Sequence, residues 1–171
     1  MPKHLEHLEI PAEYSTAIGT VVVRWNHLEQ IINLFLIYLL GKSIYEDRSH
    51  IVLAHMAFPQ KFDVLSALAK EAGKIPEYSA VAKYIETVLP LLKKAQSGRN
   101  RIIHSIWGVK NGKVMRASIS ARGTFKFSWT DAPLEEIESA LQSIEDARER
   151  LYALASSDWQ ESIRRHKEDN S

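Results

Sequence analysis

The apolar residues between positions 14 and 40 constrain the fold more than any other feature of the chain. They recur every three or four residues, which is the period of an α-helix with one buried face. Near the end of this segment the run "IINLFLIYLL" is apolar on more than one face, but it has ten residues. A membrane-spanning helix needs about 20, so we predict a long first helix whose end is buried in protein, and no membrane partner.

Similar periodicity predicts further helices at residues 48–56 and 60–72, with a chain break at Pro59 between them. A longer helix should begin after Pro76 or Ser79, be kinked at Pro90, and continue through residue 103. A last helix should have Pro133 in its first turn and run to about residue 159. Start signals for it are a cap at Thr130 or Asp131 and acidic residues in the first turn.

The pattern changes to alternating apolar and polar residues between positions 107 and 130. Asn111-Gly112 is a strong hairpin signal, because both residues tolerate the positive φ of a tight turn. Arg122-Gly123 suggests a second turn, giving two or three short antiparallel strands. The predicted fold class is therefore mainly α: a bundle of four to five helices with a small antiparallel β-hairpin inserted before the last helix.

Length and composition favour one domain and exclude several kinds of chemistry. The 171 residues carry a formal net charge of +1 and no cysteine, which excludes disulfides, thiolate nucleophiles and cysteine zinc sites. We expect an N-terminal arm at residues 1–13, a single domain at 14–160 and a flexible polar tail at 161–171. The N-terminus has no apolar core of signal-peptide length, so we expect a cytoplasmic protein.

Two histidines of the N-terminal arm, His4 and His7, lie three residues apart beside Glu6 and Glu9. Such a set could contribute to a metal site. However, an i, i+3 histidine pair supplies only half of a usual four-ligand set, and similar pairs are common on solvated helices. We therefore predict no metal ion and no cofactor.

The segment "GRNRIIHSIW" at positions 98–107 brings together the residues of a small catalytic site. On a helix Asn100 and His104 are stacked at i, i+4, and the long Arg99 side chain can sweep toward the histidine. Histidine exchanges protons near neutral pH, so it can take the proton of a ribose 2′-hydroxyl or protonate a leaving oxygen. Arg99 would stabilise charge on the phosphate, while Asn100 orients the histidine or the substrate.

Neighbouring basic residues form a local cluster in an otherwise balanced chain. Lys93, Lys94 and Arg101 flank the motif and are candidates for binding RNA phosphates. The structural alternative is that these charges complement a helix C-terminus, where cations and a histidine commonly stabilise the last carbonyl groups.

The stretch "RNRIIH" is similar to the Arg-X4–6-His motif of the HEPN superfamily (higher eukaryotes and prokaryotes nucleotide-binding). The long helix with "RWNHLEQIINLFL", the motif near the end of a later helix and a closing helix also resemble that family in pattern. The resemblance implies a helical homodimer with its active site at the interface. It further implies a metal-independent endoribonuclease with Arg99 and His104 as the catalytic pair and Asn100 assisting them.

The chain departs from the family pattern in two places. Some related toxins, controlled by a nucleotidyltransferase antitoxin, carry a tyrosine two residues after the histidine, where this chain has Ile106. The strands are an addition to the simplest helical form. They carry basic and aromatic residues that would either grip single-stranded RNA by charge and stacking or pack the strands onto the helices: Arg116, Arg122, Phe125, Lys126, Phe127 and Trp129.

Glu29 is a supporting candidate by chemistry rather than by motif. It shares the first helix with Trp25 and Ile32, and an inward-facing acid needs a partner, for which Arg99 or His104 is a candidate. A surface Glu29 without a particular partner is the alternative.

The leading hypothesis is a ribonuclease that leaves a 2′,3′-cyclic phosphate and a 5′-hydroxyl, acting as a toxin or antiviral defence effector, with an antitoxin or regulator protein as a further partner. The alternative is a non-catalytic module of the same fold that binds RNA, nucleotides or protein. A third reading is a structural dimer or regulator in which Arg99 and His104 lie apart.

Overall fold

The fold is mainly helical, with one small sheet before the last helix, as the sequence predicts. The computed structural model describes residues 9–40, 48–120 and 126–154. Its helices are α1 (Ala12–Leu39), α2 (Ser49–His55), α3 (Phe58–Ala72), α4 (Ser79–Ile103) and α5 (Leu134–Leu154), with a 3₁₀ turn at Pro76–Tyr78. The strands are β1 (Ile106–Lys110), β2 (Lys113–Ser120) and β3 (Lys126–Asp131).

Several predicted features lie outside the described residues: most of the N-terminal arm, the polar tail, the second turn at Arg122-Gly123 and the end of the last helix near residue 159. None of the described helices combines the length and apolar character needed to cross a membrane.

Packing divides the chain into two compact units. Among the described residues, the first unit, here named the motif unit, comprises 9–25, 94–120 and 126–144, and it contains the end of α4 and the sheet. The second, the helical unit, comprises 26–40, 48–93 and 145–154. Helices α1, α4 and α5 contribute to both units. The single domain predicted for residues 14–160 stays a prediction.

Each unit has its own buried apolar side chains. In the helical unit they come mainly from the apolar end of α1 and from α3 and α4, and include Leu28, Ile32, Phe35, Leu36, Ile37, Leu65, Ile85, Val88 and Leu92. In the motif unit they include Val21, Trp25, Ala95, Ile102, Ala117, Ile137 and Ala140. The predicted stripe of α1 is thus largely buried, although Val22 is exposed.

Helix α3 starts earlier than the sequence predicts. Pro59 does not break the chain; it lies in the first turn of the helix, where its missing N–H is not needed. The Gln60 side chain reaches back and accepts a hydrogen bond from the Ala57 N–H at 2.8 Å. This contact satisfies a donor at the helix start, which explains why α3 begins at Phe58.

The predicted caps of the last helix are wrong, because β3 continues through Thr130 and Asp131. The Thr130 hydroxyl donates to the Arg116 carbonyl at 3.4 Å, and Asp131 pairs with Lys113 at 3.4 Å. Both side chains are therefore engaged with β2 rather than with α5.

The sheet is antiparallel in the order β1-β2-β3. Lys110 pairs with Lys113, so Asn111 and Gly112 form a two-residue turn, with φ values of 51° and 68°. Positive φ at both central positions identifies the type I′ turn that Asn-Gly favours, which confirms this part of the prediction. The third strand extends the predicted hairpin.

Replacing Gly112 with valine should destabilise the protein by about 1–2 kcal/mol, because an L-residue with a side chain is strained in the left-handed region. Urea unfolding followed by circular dichroism measures the change. Asn111→Gly is the matched control and should stay within a few tenths of a kcal/mol. Equal stability of Gly112→Val and the parent would contradict this account of the turn.

Candidate functional site

The end of α4 is closed by polar contacts from the residues that follow it. An α-helix leaves its last carbonyl groups without intrahelical partners, and here successive carbonyls are capped in turn. The pairs are His104 N–H with Asn100 O at 3.1 Å, Ser105 Oγ with Arg101 O at 2.6 Å, and Trp107 Nε1 with Ile102 O at 3.0 Å. The helix therefore ends at Ile103 without a glycine, and His104 is held at its terminus.

Two further contacts fix this terminus within the motif unit. The Trp107 ring lies 6.4 Å from the Tyr14 ring of α1, measured between centroids. On α4, a Cβ built on Gly98 would lie 3.3 Å from the Cβ of Ala140. Helices α4 and α5 thus approach closely one residue before Arg99.

Arg99 makes direct contact with both polar residues of its motif. Its Nη1 lies 3.0 Å from His104 Nε2 and donates to Asn100 Oδ1 at 3.1 Å. The long arginine side chain spans the five-residue separation, as the sequence suggests. Asn100 orients Arg99, whereas the sequence analysis predicts that it orients the histidine or the substrate.

The contact between Arg99 and His104 defines the tautomer of the imidazole. A guanidinium has only donors, so Nε2 must accept and the ring hydrogen must lie on Nδ1. His104 is exposed. The nitrogen that can take a proton therefore faces the cation that can stabilise a phosphate.

The ring of Trp25 packs against the guanidinium of Arg99. The guanidinium carbon lies 5.8 Å from the centroid of this buried ring, within cation–π range. Arg99 Nε is buried and has no hydrogen-bond partner among the described residues. One side of the guanidinium thus packs against protein, which restricts its orientation while Nη1 faces His104.

Arg101 forms an ion pair within the motif unit, and its role in RNA binding stays a prediction. Its Nε lies 2.9 Å from Glu136 Oε1, and Arg116 contacts the same carboxylate through two hydrogen bonds of 2.8 and 2.9 Å. Glu136 and Arg116 are mostly buried, whereas Arg101 is half exposed. One carboxylate therefore compensates part of the charge of two arginines.

The remaining basic and aromatic candidates are distributed over the chain. Lys94 is exposed in the motif unit, and Lys93 is exposed in the helical unit. Trp129 packs edge-on against Phe127, with centroids 5.7 Å apart, and Phe127 is partly exposed. Arg122, Phe125 and the side chain of Lys126 lie outside the described part of the chain, as do His4, Glu6 and His7.

Glu29 has a different partner from those the sequence suggested. Its Oε1 accepts a hydrogen bond from Lys61 Nζ at 2.6 Å, within the helical unit. The predicted support of Arg99 or His104 by Glu29 stays a prediction.

Sequence reasoning missed the roles of Trp25, Glu136 and Lys61. Trp25 fits the apolar stripe of α1, and Glu136 fits the acidic first turn of α5, so each already had a local explanation. Their roles come from contacts with side chains distant in sequence, and no local signal in the sequence specifies those contacts.

No protein-family model matches the chain, and neither curated proteins nor solved structures give a significant match. Over residues 9–40, 48–120 and 126–154, no group of three or more histidine, aspartate or glutamate residues is arranged to hold a metal ion.

Replacing Glu136 with alanine should destabilise the protein by about 1–3 kcal/mol, because a mostly buried Arg116 loses its counter-charge. Urea unfolding measures the loss. Glu135→Ala removes the same charge at the neighbouring, exposed position and should cost little. Equal effects of the two variants would contradict a specific role for Glu136.

Tyr14 should ionise at higher pH than a free tyrosine. Burial raises the pKa of Tyr14 above 10.0, the charges of Glu13 and Glu135 raise it further, and a hydrogen bond from the Leu134 backbone opposes them. The neutral phenol is thus favoured in the folded protein, so its contribution to stability is complete below the unfolded pKa and is lost as pH rises through the folded pKa.

Tyrosinate absorbance at 295 nm, compared between the parent and Tyr14→Phe, isolates this titration. Glu135→Gln should lower the midpoint. A midpoint for Tyr14 at or below that of the urea-unfolded chain would contradict the assignment.

Proposed function

We propose that the protein is a metal-independent endoribonuclease of the HEPN type that leaves a 2′,3′-cyclic phosphate and a 5′-hydroxyl. The observation that carries the proposal is the 3.0 Å contact between Arg99 Nη1 and the Nε2 of an exposed His104. It joins a cation that can bind phosphate and an imidazole that can act as a general base in one unit. The third reading, in which these side chains lie apart, is disfavoured by the same distance.

In the proposed reaction the phosphodiester enters between the two side chains. Arg99 Nη1 gives up its hydrogen bond to the imidazole and donates instead to a non-bridging phosphate oxygen. His104 Nε2 then accepts the proton of the 2′-hydroxyl. The 2′-oxygen forms a bond to phosphorus while the bond from phosphorus to the 5′-oxygen breaks. The departing 5′-oxygen takes a proton, which completes the balance. Asn100 keeps the guanidinium in place throughout.

A homodimer with two facing motifs would supply the second proton-transfer group. In that arrangement one His104 is the base, and the protonated His104 of the second copy donates to the departing oxygen. Lys94 and the exposed part of Arg101 would contact the RNA backbone, and Lys93 belongs to the same proposed set. The biological role that we propose is that of a toxin or antiviral effector in the cytoplasm. An antitoxin or regulator protein would inhibit it.

A non-catalytic module of the same fold that binds RNA, nucleotides or protein is the second candidate. One observation favours it: the Nε2 lone pair of His104 is occupied by Arg99 in the free chain. A histidine held in this way would serve to position Arg99 for phosphate binding, without proton transfer.

His104→Ala should reduce RNA cleavage by about 10²–10⁴-fold, the usual contribution of a general acid or base. The assay uses purified protein, a mixed-sequence RNA and EDTA, and it identifies the 2′,3′-cyclic phosphate by its resistance to phosphatase. His55→Ala is the matched control, since His55 is an exposed histidine at the end of α2.

Unchanged cleavage by His104→Ala, or the absence of cleavage by the parent protein under all conditions, would overturn the enzymatic proposal. RNA binding that is retained without any product would instead support the binding module.

A further inference from the structure

A polar cleft lies within the helical unit, separate from the motif residues. It has a volume of about 450 Å³ and is bordered by α1, α2 and α3. Most of its side chains project from one face of α1, at spacings of three and four residues. The lining residues are Asn26, Glu29, Gln30, Asn33, His50, Ala54 and Lys61.

The cleft is internally charge-balanced. Lys61 is 4% exposed, and its Nζ lies 2.6 Å from Glu29 Oε1. A lysine is rarely buried unless it is paired, so this ion pair is a built feature of the cleft. Because the two charges compensate each other, neither an anion nor a cation finds an uncompensated counter-charge there.

Asn33 supplies an unused hydrogen-bond acceptor. The residue is 8% exposed, and its Nδ2 donates to Gln30 Oε1 at 3.3 Å. Its Oδ1 is buried and has no hydrogen-bond partner among the described residues. A buried acceptor without a donor is destabilising for the fold, so a ligand that supplies a donor to it would gain stability.

We propose that this cleft binds a small neutral ligand with an amide-type edge, an N–H group beside a C=O group. The ligand N–H donates to Asn33 Oδ1, and the ligand carbonyl accepts from Lys61 Nζ or from the Asn26 carboxamide. Carboxamide side chains recognise such edges because they present a donor and an acceptor side by side. The volume lies within the range of small-molecule sites.

This chemistry is shared by pyrimidine bases and by primary carboxamides. Uracil and nicotinamide are therefore the two probes, and benzoate is the control because it is a planar molecule of similar size without an amide edge. Side-chain amide signals in ¹H–¹⁵N NMR spectra of the full chain report binding, and loss of a signal pair in Asn33→Leu assigns Asn33.

The expected result is a saturable shift of the Asn33 amide signals at millimolar concentrations of at least one probe, and none with benzoate. The probe that binds shows whether the natural ligand is a pyrimidine base or a primary carboxamide. In Asn33→Leu, binding is followed by the side-chain amide signals of Asn26 and Gln30, which also line the cleft, and their shifts should be abolished. The melting temperature of this variant without ligand should rise by a few degrees, because the unpaired acceptor is removed.

Two further variants keep the test independent of any folding defect. Asn26→Ala, at an exposed position of the cleft, should weaken probe binding several-fold without changing the melting temperature. Gln142→Leu places the same leucine at an exposed position of α5 outside the cleft and should leave binding unchanged.

The proposal is overturned if neither probe causes a saturable shift, if benzoate shifts the same signals equally, or if Asn33→Leu binds the probe as well as the parent does. A nuclear Overhauser effect from Asn33 to a long-lived water that neither probe displaces would also overturn it, since the acceptor would then be satisfied by structural water. None of these outcomes depends on ribonuclease activity.

Discussion

The candidate active site depends on the way helix α4 ends. Successive carbonyl groups of its last turn are capped by His104 N–H, Ser105 Oγ and Trp107 Nε1, so the chain leaves the helix in a defined direction. His104 is thereby held at the terminus, five residues after Arg99, where the two side chains meet. A frayed terminus would leave the imidazole without a fixed position, and the arginine without its contact.

Arg99 is restrained from several sides before any substrate binds. Asn100 accepts one of its hydrogen bonds, and the buried ring of Trp25 lies behind the guanidinium. Restraint of this kind reduces the entropy that a substrate contact must offset.

Acidic residues neutralise part of the positive charge around the motif. Glu136 binds Arg101 and Arg116 together, which reduces the positive field that the basic residues alone would create. Any RNA affinity of the motif unit must therefore come from fewer cations than the composition of the segment suggests. Glu29 and Lys61 form a similar balance in the helical unit.

The local elements were predictable because the signals that form them are local. Helical periodicity and the Asn111-Gly112 turn each act over a few residues. The motif residues Arg99, Asn100 and His104 likewise lie within six consecutive positions. Errors arose where a local signal had two meanings. Pro59 is both a chain breaker and a favoured residue of a first helical turn, and Thr130 resembles a cap although it belongs to β3.

The sequence by itself therefore determined the mainly helical class, the strand insertion and the candidate catalytic side chains. Only the tertiary structure decided the partner of each charged group: Lys61 for Glu29, 32 residues away, and Glu136 for Arg116, 20 residues away. The physical reason is that an ion pair depends on distance in space, and packing of separate helices and strands sets that distance, whereas periodicity records only which face of its own element a residue occupies.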